Sequence, residues 1–398
     1  MKEKFTDMLE YLVWRGDLSF EQYPFCAIDA LVLAQLSYLN FDGLLSSDLK
    51  DAVTLEKLYS SFESDADFKM RCDMGAVINP KTPELLKVAA ATNRFGKMEI
   101  CGYETILDGE KVQQFAAMTF LYGKDQTAVT FRGTDDTLIG WQEDLNIIIG
   151  DPIPSEYSAV DYINKVYGEL KKEITVIGHS KGGCMAVYGA AFCNDEAKSH
   201  LKEVFNFDGP GFPGDFYKEE AYLSVKDKVK SYYPRFDVVG MVFEQPENFK
   251  IVDSDGFTVF QHDALSWNLK GTDFIYVDNF ADESRILNAS FNEWINGLTK
   301  DDRRKFAKTF FDVVYASGAK TNKELEKNML QASGKMLAAM MELPAEDRKH
   351  VTQMIHMFFV SSRNNLPIAN VFKSITNIQN SNIVNKLGET IDKVKEKL

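Results

Sequence analysis

The chain has 398 residues, 45% of them hydrophobic, which is enough for two or three domains or for one enlarged α/β domain with appendages. Its formal net charge of -14 at pH 7 argues against general nucleic-acid binding and against anionic membrane surfaces, because like charges repel. The five cysteines are scattered and form no C-x-x-C pair, so we expect reduced thiols and neither a disulfide framework nor a zinc site.

The N-terminal stretch interleaves apolar side chains with Asp7, Glu10 and Arg15, which interrupts the apolar region that a signal peptide needs. No later apolar run is long enough to span a bilayer. We therefore expect no transmembrane segment and a cytoplasmic location.

The first half of the chain predicts helices followed by a strand pair. Residues 23–44 include "AIDALVLAQLSYLNF", which is apolar on nearly every side and indicates a buried helix. Residues 51–93 are more polar and helical. The segments 113–122 and 127–131 read as two strands joined by a "GKDQ" hairpin turn. The stretch "SEYSAVDYINKVYGEL" then has the apolar spacing of an amphipathic helix and leads into the strand "ITVI".

The second half continues this alternation and then changes character. Three further strand candidates follow: "EVFNFDGPGF", "VKSYYPRFDVVGMVF" and "NFKIVDSDGFTVF". Strands alternating with helices predict an α/β fold with a mostly parallel, doubly wound sheet, which we assign to residues 1–300. After Gly297 three amphipathic helical segments predict an all-helical C-terminal region, residues 301–398.

A glycine-flanked serine stands between one predicted strand and the next helix. The sequence Gly178-His179-Ser180-Lys181-Gly182 fits G-x-S-x-G, the pattern of a nucleophile elbow. Such an elbow needs residues without a Cβ atom where the helix passes the strand, and the helix N-terminus favours a developing oxyanion. The pattern predicts Ser180 as a nucleophile. The alternative is an ordinary α/β turn with Ser180 as helix N-cap.

The base should follow the serine in the chain. His262, in "FTVFQHDALSW", follows a predicted strand late in the sheet region, where a loop can return it to Ser180. The other four histidines lie in the elbow itself, just behind it, or in the C-terminal helices: His179, His200, His350 and His356. His262 is therefore the candidate base, and a surface or supporting histidine is the alternative.

The acid has two candidates, because a buried carboxylate is needed to orient the imidazole and either could reach it. Asp237, in "YYPRFDVVG", follows the second strand after the elbow, and we favour it. Asp208, in "NFDGPG", follows the first strand and is the alternative acid, although such an aspartate ordinarily caps a turn. The aspartates nearest His262 in sequence have the pattern of turn residues: Asp253, Asp255 and Asp263.

An oxyanion hole needs two N–H donors. The backbone of Lys181 supplies the first, as the residue after the nucleophile. Thr134, in "TFRGTDDT", follows a glycine at the end of a strand and is the candidate for the second. By itself, "RGTDD" also fits a hydrophilic turn.

These stretches, in this order, resemble the class 3 lipase branch of the α/β-hydrolases, and still more closely a family of lipase-like bacterial proteins whose common domain has no assigned function. The matching segments are "AIDALVLAQLSYLNF", "VTFRGTDDTLIGWQEDLN", "VIGHSKGGCMAVYGA", "FNFDGPGF", "YYPRFDVVGMVF" and "FQHDALSW". They cover about residues 23–300.

The resemblance implies the triad Ser180, Asp237 and His262, and an oxyanion hole at Thr134 and Lys181. It also implies that Trp141 and Asp144, in "GWQEDL", support the site.

The sequence departs from the class 3 lipase pattern at Lys181, where lipases of this class usually have leucine. A cation beside the nucleophile indicates a less apolar pocket or an anionic substrate, and the alternative is a side chain on the protein surface.

Together these features predict a serine hydrolase that cleaves carboxylic esters, lipid esters first, with no cofactor or metal. An acyltransferase with the same triad is an alternative, and so is a degenerate hydrolase scaffold that binds a partner through its C-terminal helices. Those helices contain a set of methionines that suits either a binding surface or internal packing: Met329, Met336, Met340, Met341, Met354 and Met357. The sequence leaves the oligomeric state and the presence of a lid open; residues 51–93 and 211–223 are lid candidates.

Overall fold

A computed structural model of the chain describes residues 6–352. These residues form two compact units. The first contains residues 6–74, 78–135 and 139–300, and the second contains residues 75–77, 136–138 and 301–352.

The first unit is built on a mixed sheet whose centre is parallel. The strands are β1 (Val53–Thr54), β2 (Glu99–Asp108), β3 (Gln113–Tyr122), β4 (Gln126–Phe131), β5 (Glu173–His179), β6 (Leu201–Phe207), β7 (Val229–Pro234), β8 (Phe249–Val252), β9 (Leu269–Lys270), β10 (Asp273–Phe274) and β11 (Tyr276–Val277). The sheet joins them in the order β1-β2-β3-β4-β5-β6-β7-β8-β11, with β4 to β8 mutually parallel and the outer neighbours antiparallel. A separate two-stranded ribbon pairs β9 with β10.

Helices precede and follow the parallel strands in the chain and connect most of them. In chain order they are α1 (Met8–Arg15), α2 (Ala27–Leu36), α3 (Leu55–Ser64), α4 (Phe68–Arg71), α5 (Thr82–Ala90), α6 (Leu138–Ile147), α7 (Pro154–Leu170), α8 (Lys181–Phe192), α9 (Asp195–Ser199), α10 (Glu220–Leu223), α11 (Asp282–Asn296), α12 (Lys300–Tyr315), α13 (Asn322–Lys327) and α14 (Met329–Glu342).

The two faces of the sheet carry separate apolar clusters, because successive side chains of a strand point to opposite faces. Ile177 and Phe205 pack on the face covered by α2. Their neighbours Val176 and Val204 pack on the opposite face with α7 and α8. Both faces of the central strands are therefore buried, which explains why "ITVI" reads as a continuous apolar run. The predicted α/β fold with helices on both faces is confirmed.

The predicted hairpin is also confirmed, since β3 and β4 pair antiparallel across a turn at residues 123–125. One predicted strand is shorter than expected. Strand β8 ends at Val252, and Thr258–His262 form a 3₁₀ turn instead of the strand that "FTVF" indicates. The side chains of this turn are only partly buried, and Thr258 has a positive φ of 50°, which a regular strand excludes.

The second unit is helical over α12, α13 and α14. Residues 136–138 join it through backbone bonds to residues 320–322, including Leu138 N to Lys320 O at 2.8 Å. Met336 and Met340 are buried in this unit, whereas Met329 and Met341 are exposed. Met354 and Met357 lie outside the described residues, as does His356.

Across residues 6–352 we find no helix with the length and hydropathy required to cross a bilayer.

Candidate active site

Ser180 occupies a strained turn between strand β5 and helix α8. The strand ends at His179, the helix begins at Lys181, and Ser180 between them has φ 59° and ψ -133°. Positive φ is uncommon for a residue with a side chain, so the surrounding structure must hold it. The N–H of Ser180 donates to the carbonyl oxygen of Phe207 at 2.9 Å, and its own carbonyl accepts from the N–H of Gly183 at 2.7 Å.

The motif glycines are required by close approach of the helix to the sheet. A Cβ atom at Gly178 would collide with the carbonyl oxygen of Gly182. A Cβ atom at Gly182 would collide with the carbonyl oxygen of Phe131, at the end of β4. The G-x-S-x-G spacing therefore lets α8 begin directly against the carboxyl ends of β4 and β5.

The His262 ring lies beside this turn and contacts a buried carboxylate. Its Nδ1 is 2.6 Å from Oδ2 of Asp208, whose side chain is 1% exposed, while the His262 side chain is 27% exposed. Asp208 directly follows β6 and has a positive φ of 52°. The rings of His179 and His262 lie 4.8 Å apart between centroids, which brings the imidazole next to the residue that precedes Ser180.

The carboxylate that contacts the His262 imidazole is therefore the alternative acid and not the favoured one. Asp208 makes the contact, and Asp237 does not. Asp237 is also buried, but its Oδ1 accepts the N–H of Gly240 at 2.8 Å, and Gly240 itself lies against Asp208. The reason is positional: Asp208 follows β6, the immediate neighbour of β5, whereas Asp237 lies beyond the next strand, β7.

Burial governs the protonation of these groups. It raises the pKa of Asp208 to about 7, and burial together with the adjacent Asp208 raises the pKa of Asp237 well above its usual range. Burial lowers the pKa of His262 to about 4, so the imidazole is neutral at pH 7. A neutral ring with Nδ1–H directed at Asp208 leaves Nε2 as the proton acceptor. His262 Nε2 and Ser180 Oγ make no hydrogen bond to another residue in the range 6–352.

A hydrogen-bonded chain through His179 fixes the backbone of His262, and sequence reasoning missed it. The Tyr38 hydroxyl is 2.8 Å from Nδ1 of His179, and Nε2 of His179 is 2.8 Å from the carbonyl oxygen of His262. Burial lowers the pKa of His179 to about 3, so the ring is neutral. Nε2–H then donates to the carbonyl and Nδ1 accepts from the tyrosine. Only the position of His179 inside the elbow motif could have signalled this role.

Further contacts hold the residues around His262. The side-chain amide of Asn79 donates to Asp263 at 2.5 Å, which ties the loop to one of the lid candidates, residues 51–93. Trp267 Nε1 donates to the carbonyl of Gln261 at 2.8 Å, and Gln261 Oε1 accepts the N–H of Phe236 at 2.7 Å. The loop that carries His262 is therefore anchored on both sides of the imidazole.

Thr134 lies at the carboxyl end of β4 and is oriented by a buried acid. Its hydroxyl donates to Oδ2 of Asp144 at 2.5 Å. Burial raises the pKa of Asp144 to about 6, against the opposing effect of the nearby Lys181 cation. Asp144 is thus a support for Thr134, in the position that the resemblance implies.

The Lys181 side chain is not on the protein surface, so the surface alternative for it is wrong. It is fully buried, and Nζ donates to Glu143 Oε2 at 2.8 Å and to the carbonyl and side-chain oxygens of Gln114 at 2.9 and 2.8 Å. A helical side chain on the first turn of α8 points toward α6, where Glu143 supplies the opposite charge. Lys181 is the first residue of α8, and the N–H group at the first position of a helix has no intrahelical acceptor.

Within residues 6–352, no group of three or more histidine, cysteine, aspartate or glutamate side chains has the arrangement of a metal site.

Comparison with known proteins gives one family and a set of distant structures. Residues 89–312, more than half of the chain, match the family described as Mbeg1-like. No curated protein matches the chain.

Three solved structures are similar to part of this chain at low identity. The M37 lipase crystal structure has 13% identity and a TM-score of 0.34, covering 54% of this chain and 68% of that one. A triacylglycerol lipase from Penicillium expansum has 11% identity and a TM-score of 0.28, covering 47% and 76%. The Rhizomucor miehei lipase propeptide complex has 15% identity and a TM-score of 0.29, covering 51% and 67%. These likenesses concern the fold alone.

Proposed function

The chain belongs to the Mbeg1-like family, and we propose that it is a serine hydrolase that cleaves carboxylic esters through an acyl-enzyme. The observation that carries the proposal is the hydrogen bond between a neutral His262 and the buried Asp208, formed beside the strained turn of Ser180. This combination supplies a nucleophile, a base and an orienting carboxylate within one end of the sheet.

In the proposed reaction, His262 Nε2 removes the proton of Ser180 as Oγ attacks the ester carbonyl. This step requires Oγ and Nε2 to come within hydrogen-bond distance in the substrate complex. The imidazolium then gives its proton to the leaving alkoxide, and the alcohol departs. Water attacks the acyl-serine with His262 again as base, and collapse of the intermediate returns the proton to Ser180 and releases the acid. Asp208 stabilises the transient imidazolium and fixes its tautomer.

The oxyanion that forms in each step needs hydrogen-bond donors. We assign this role to the N–H of Lys181, at the start of α8, and to Thr134, which Asp144 orients. The helix N-terminus adds a partial positive charge at the same point.

The substrate class rests on the resemblance to lipases. Lipid esters are our first expectation, and short soluble esters the second. Transfer of the acyl group to an alcohol instead of water would use the same residues, so products should be analysed with and without an added alcohol.

The proposal is tested first with a fluorescent fluorophosphonate, which labels an activated serine. We expect labelling of the wild type and none of Ser180→Ala, with ester hydrolysis reduced by roughly 10⁴–10⁶-fold in Ser180→Ala and His262→Ala. Ser199→Ala is the matched control, because Ser199 is exposed and bonds only within its own turn. Full labelling or full activity of Ser180→Ala with wild-type melting behaviour would disprove the assignment.

A further inference from the structure

We propose that Asp237 acts in this site as a neutral carboxylic acid that donates its proton to Asp208 and thereby positions the carboxylate that orients His262. Asp237 is then a positioning residue, one step removed from the imidazole. The inference deepens the proposed function and rests on it for the role of His262, but the placement of the proton can be tested separately.

Each of the two carboxyl groups, Asp208 and Asp237, uses one oxygen for a hydrogen bond elsewhere and has its second oxygen free to meet the other carboxyl. Oδ2 of Asp208 contacts His262 Nδ1 at 2.6 Å, and Oδ1 of Asp237 accepts the N–H of Gly240 at 2.8 Å. The remaining oxygens, Asp208 Oδ1 and Asp237 Oδ2, are buried and have no hydrogen-bond partner within residues 6–352. Gly240 brings the two carboxyls close together: its N–H donates to Asp237, and a Cβ atom on it would lie 2.7 Å from Oδ1 of Asp208. The proposed hydrogen bond joins the two remaining oxygens. A hydrogen bond between two carboxyl groups requires a proton on one of them.

Two charged carboxylates cannot remain in contact in a buried site, so the pair holds one proton at neutral pH. The proton belongs on Asp237, because the His262 N–H stabilises the charged form of Asp208. The pKa values agree in direction: burial raises the pKa of Asp208 to about 7, and burial together with the adjacent Asp208 raises the pKa of Asp237 well above its usual range.

Asp237 is held in place through its backbone by helix α11. Its N–H donates to Ser284 Oγ at 3.1 Å, and its carbonyl accepts from the Asn288 side chain at 2.8 Å and from the Ser284 hydroxyl. Ser284 and Asn288 are both buried. Gly240 lies against Asp208 and the Tyr233 ring, with no room for a Cβ atom. These contacts hold the backbone that carries the Asp237 carboxyl.

Infrared spectroscopy at neutral pH tests the placement of the proton without any substrate. We expect the difference spectrum between wild type and Asp237→Asn to contain the C=O stretch of a protonated carboxylic acid that the variant lacks. Asp215→Asn, which removes a carboxyl that is 97% exposed, is the control and should not lose such a band. Absence of the band from the wild-type difference spectrum would overturn the inference.

The rate of labelling by the fluorophosphonate probe tests the role of Asp237 as a positioning residue. The amide of Asp237→Asn can still donate to Asp208 Oδ1 and accept from Gly240, so we expect a labelling rate within about tenfold of the wild type. The labelling rate of Asp208→Asn should fall by on the order of 10⁴-fold, as expected when the carboxylate that contacts the imidazole becomes an amide.

An equal loss of labelling rate in Asp237→Asn and Asp208→Asn would show that Asp237 acts as the charged acid. That result would overturn the inference. If the infrared band is present but the folded wild type does not react with the probe, the hydrolase proposal fails and the proton placement stands.

Discussion

Glu156 shows how one buried carboxyl couples stability to pH. It lies in the first turn of α7, where its side chain accepts the N–H of Ile153 at 2.9 Å and closes a capping interaction. Burial raises its pKa to about 8, with Glu143 nearby adding to the effect, so the group is mostly neutral in the folded protein at pH 7. In the unfolded chain the same carboxyl ionises at its ordinary, lower pKa.

This difference predicts that Glu156 lowers stability as pH rises. Between the ordinary pKa of a glutamate and about 8, the folded state binds more protons than the unfolded state, so the free energy of unfolding falls by up to ~1.4 kcal/mol per pH unit from this group. Glu156→Gln removes this contribution. Urea titrations across that range should show its stability rising relative to wild type as pH increases.

Glu169→Gln, on the exposed face of the same helix, is the control. A constant difference between Glu156→Gln and the wild type at every pH would contradict the prediction.

At the scale of elements, a buried ion pair joins α8 to α6. Lys181 and Glu143 are both fully buried, and Glu143 also accepts the backbone N–H groups of Gln114 and Ser155 at 2.9 and 3.0 Å. The positive charge of Lys181 therefore joins α8 to α6. The sequence signal for this pair was a lysine directly before the small, apolar stretch "GGCMAVYGAA". A lysine buried in such a helix needs a partner of opposite charge.

We therefore predict strong coupling between Lys181 and Glu143. Lys181→Met leaves a buried carboxylate and Glu143→Gln leaves a buried ammonium, so each should cost about 3–5 kcal/mol. The double variant leaves neither charge and should cost clearly less than the sum of the two. Chemical denaturation of all four proteins measures the cycle, and additive costs would show that the pair has no special interaction.

At the scale of the first unit, Arg94 ties the N-terminal segment to the body of the protein. Its Nε and Nη2 donate to both oxygens of Asp29, on α2, at 2.8 and 2.6 Å, and both residues are buried. Four further bonds go to backbone carbonyls of the N-terminal segment, those of Leu18, Ser19, Tyr23 and Pro24. The planar guanidinium reaches all of these acceptors at once.

Lysine cannot reproduce that set of bonds. Arg94→Lys should lower the free energy of unfolding by about 3–5 kcal/mol and speed proteolysis between α1 and α2, because several carbonyls lose their donor. Limited proteolysis followed by mass spectrometry locates the cleavage. Arg285→Lys, an exposed arginine paired with Asp282, should behave like the wild type. Equal protease resistance of both variants would refute the anchoring role of Arg94.

The fold was predictable because its signals are local. The apolar runs, the hairpin turn before β4 and the glycines around Ser180 each depend on neighbours within a few residues, and the structure has β5 and α8 on either side of that serine. The 3₁₀ turn at Thr258–His262 was missed because β-branched and aromatic residues there indicate a strand, whereas the chain after β8 must bend to bring His262 to the elbow.

The amino-acid sequence alone predicts the central α/β architecture, the strand-to-helix turn at Ser180 and the short set of candidates for base and acid. These depend on residue type and periodicity, which local sequence carries. Three contacts emerge only once the chain has folded: Asp208 with His262, Gly240 with both Asp208 and Asp237, and Lys181 with Glu143. Those contacts join segments far apart in the chain, and their partners depend on which strands are neighbours in the sheet and which helix faces pack together.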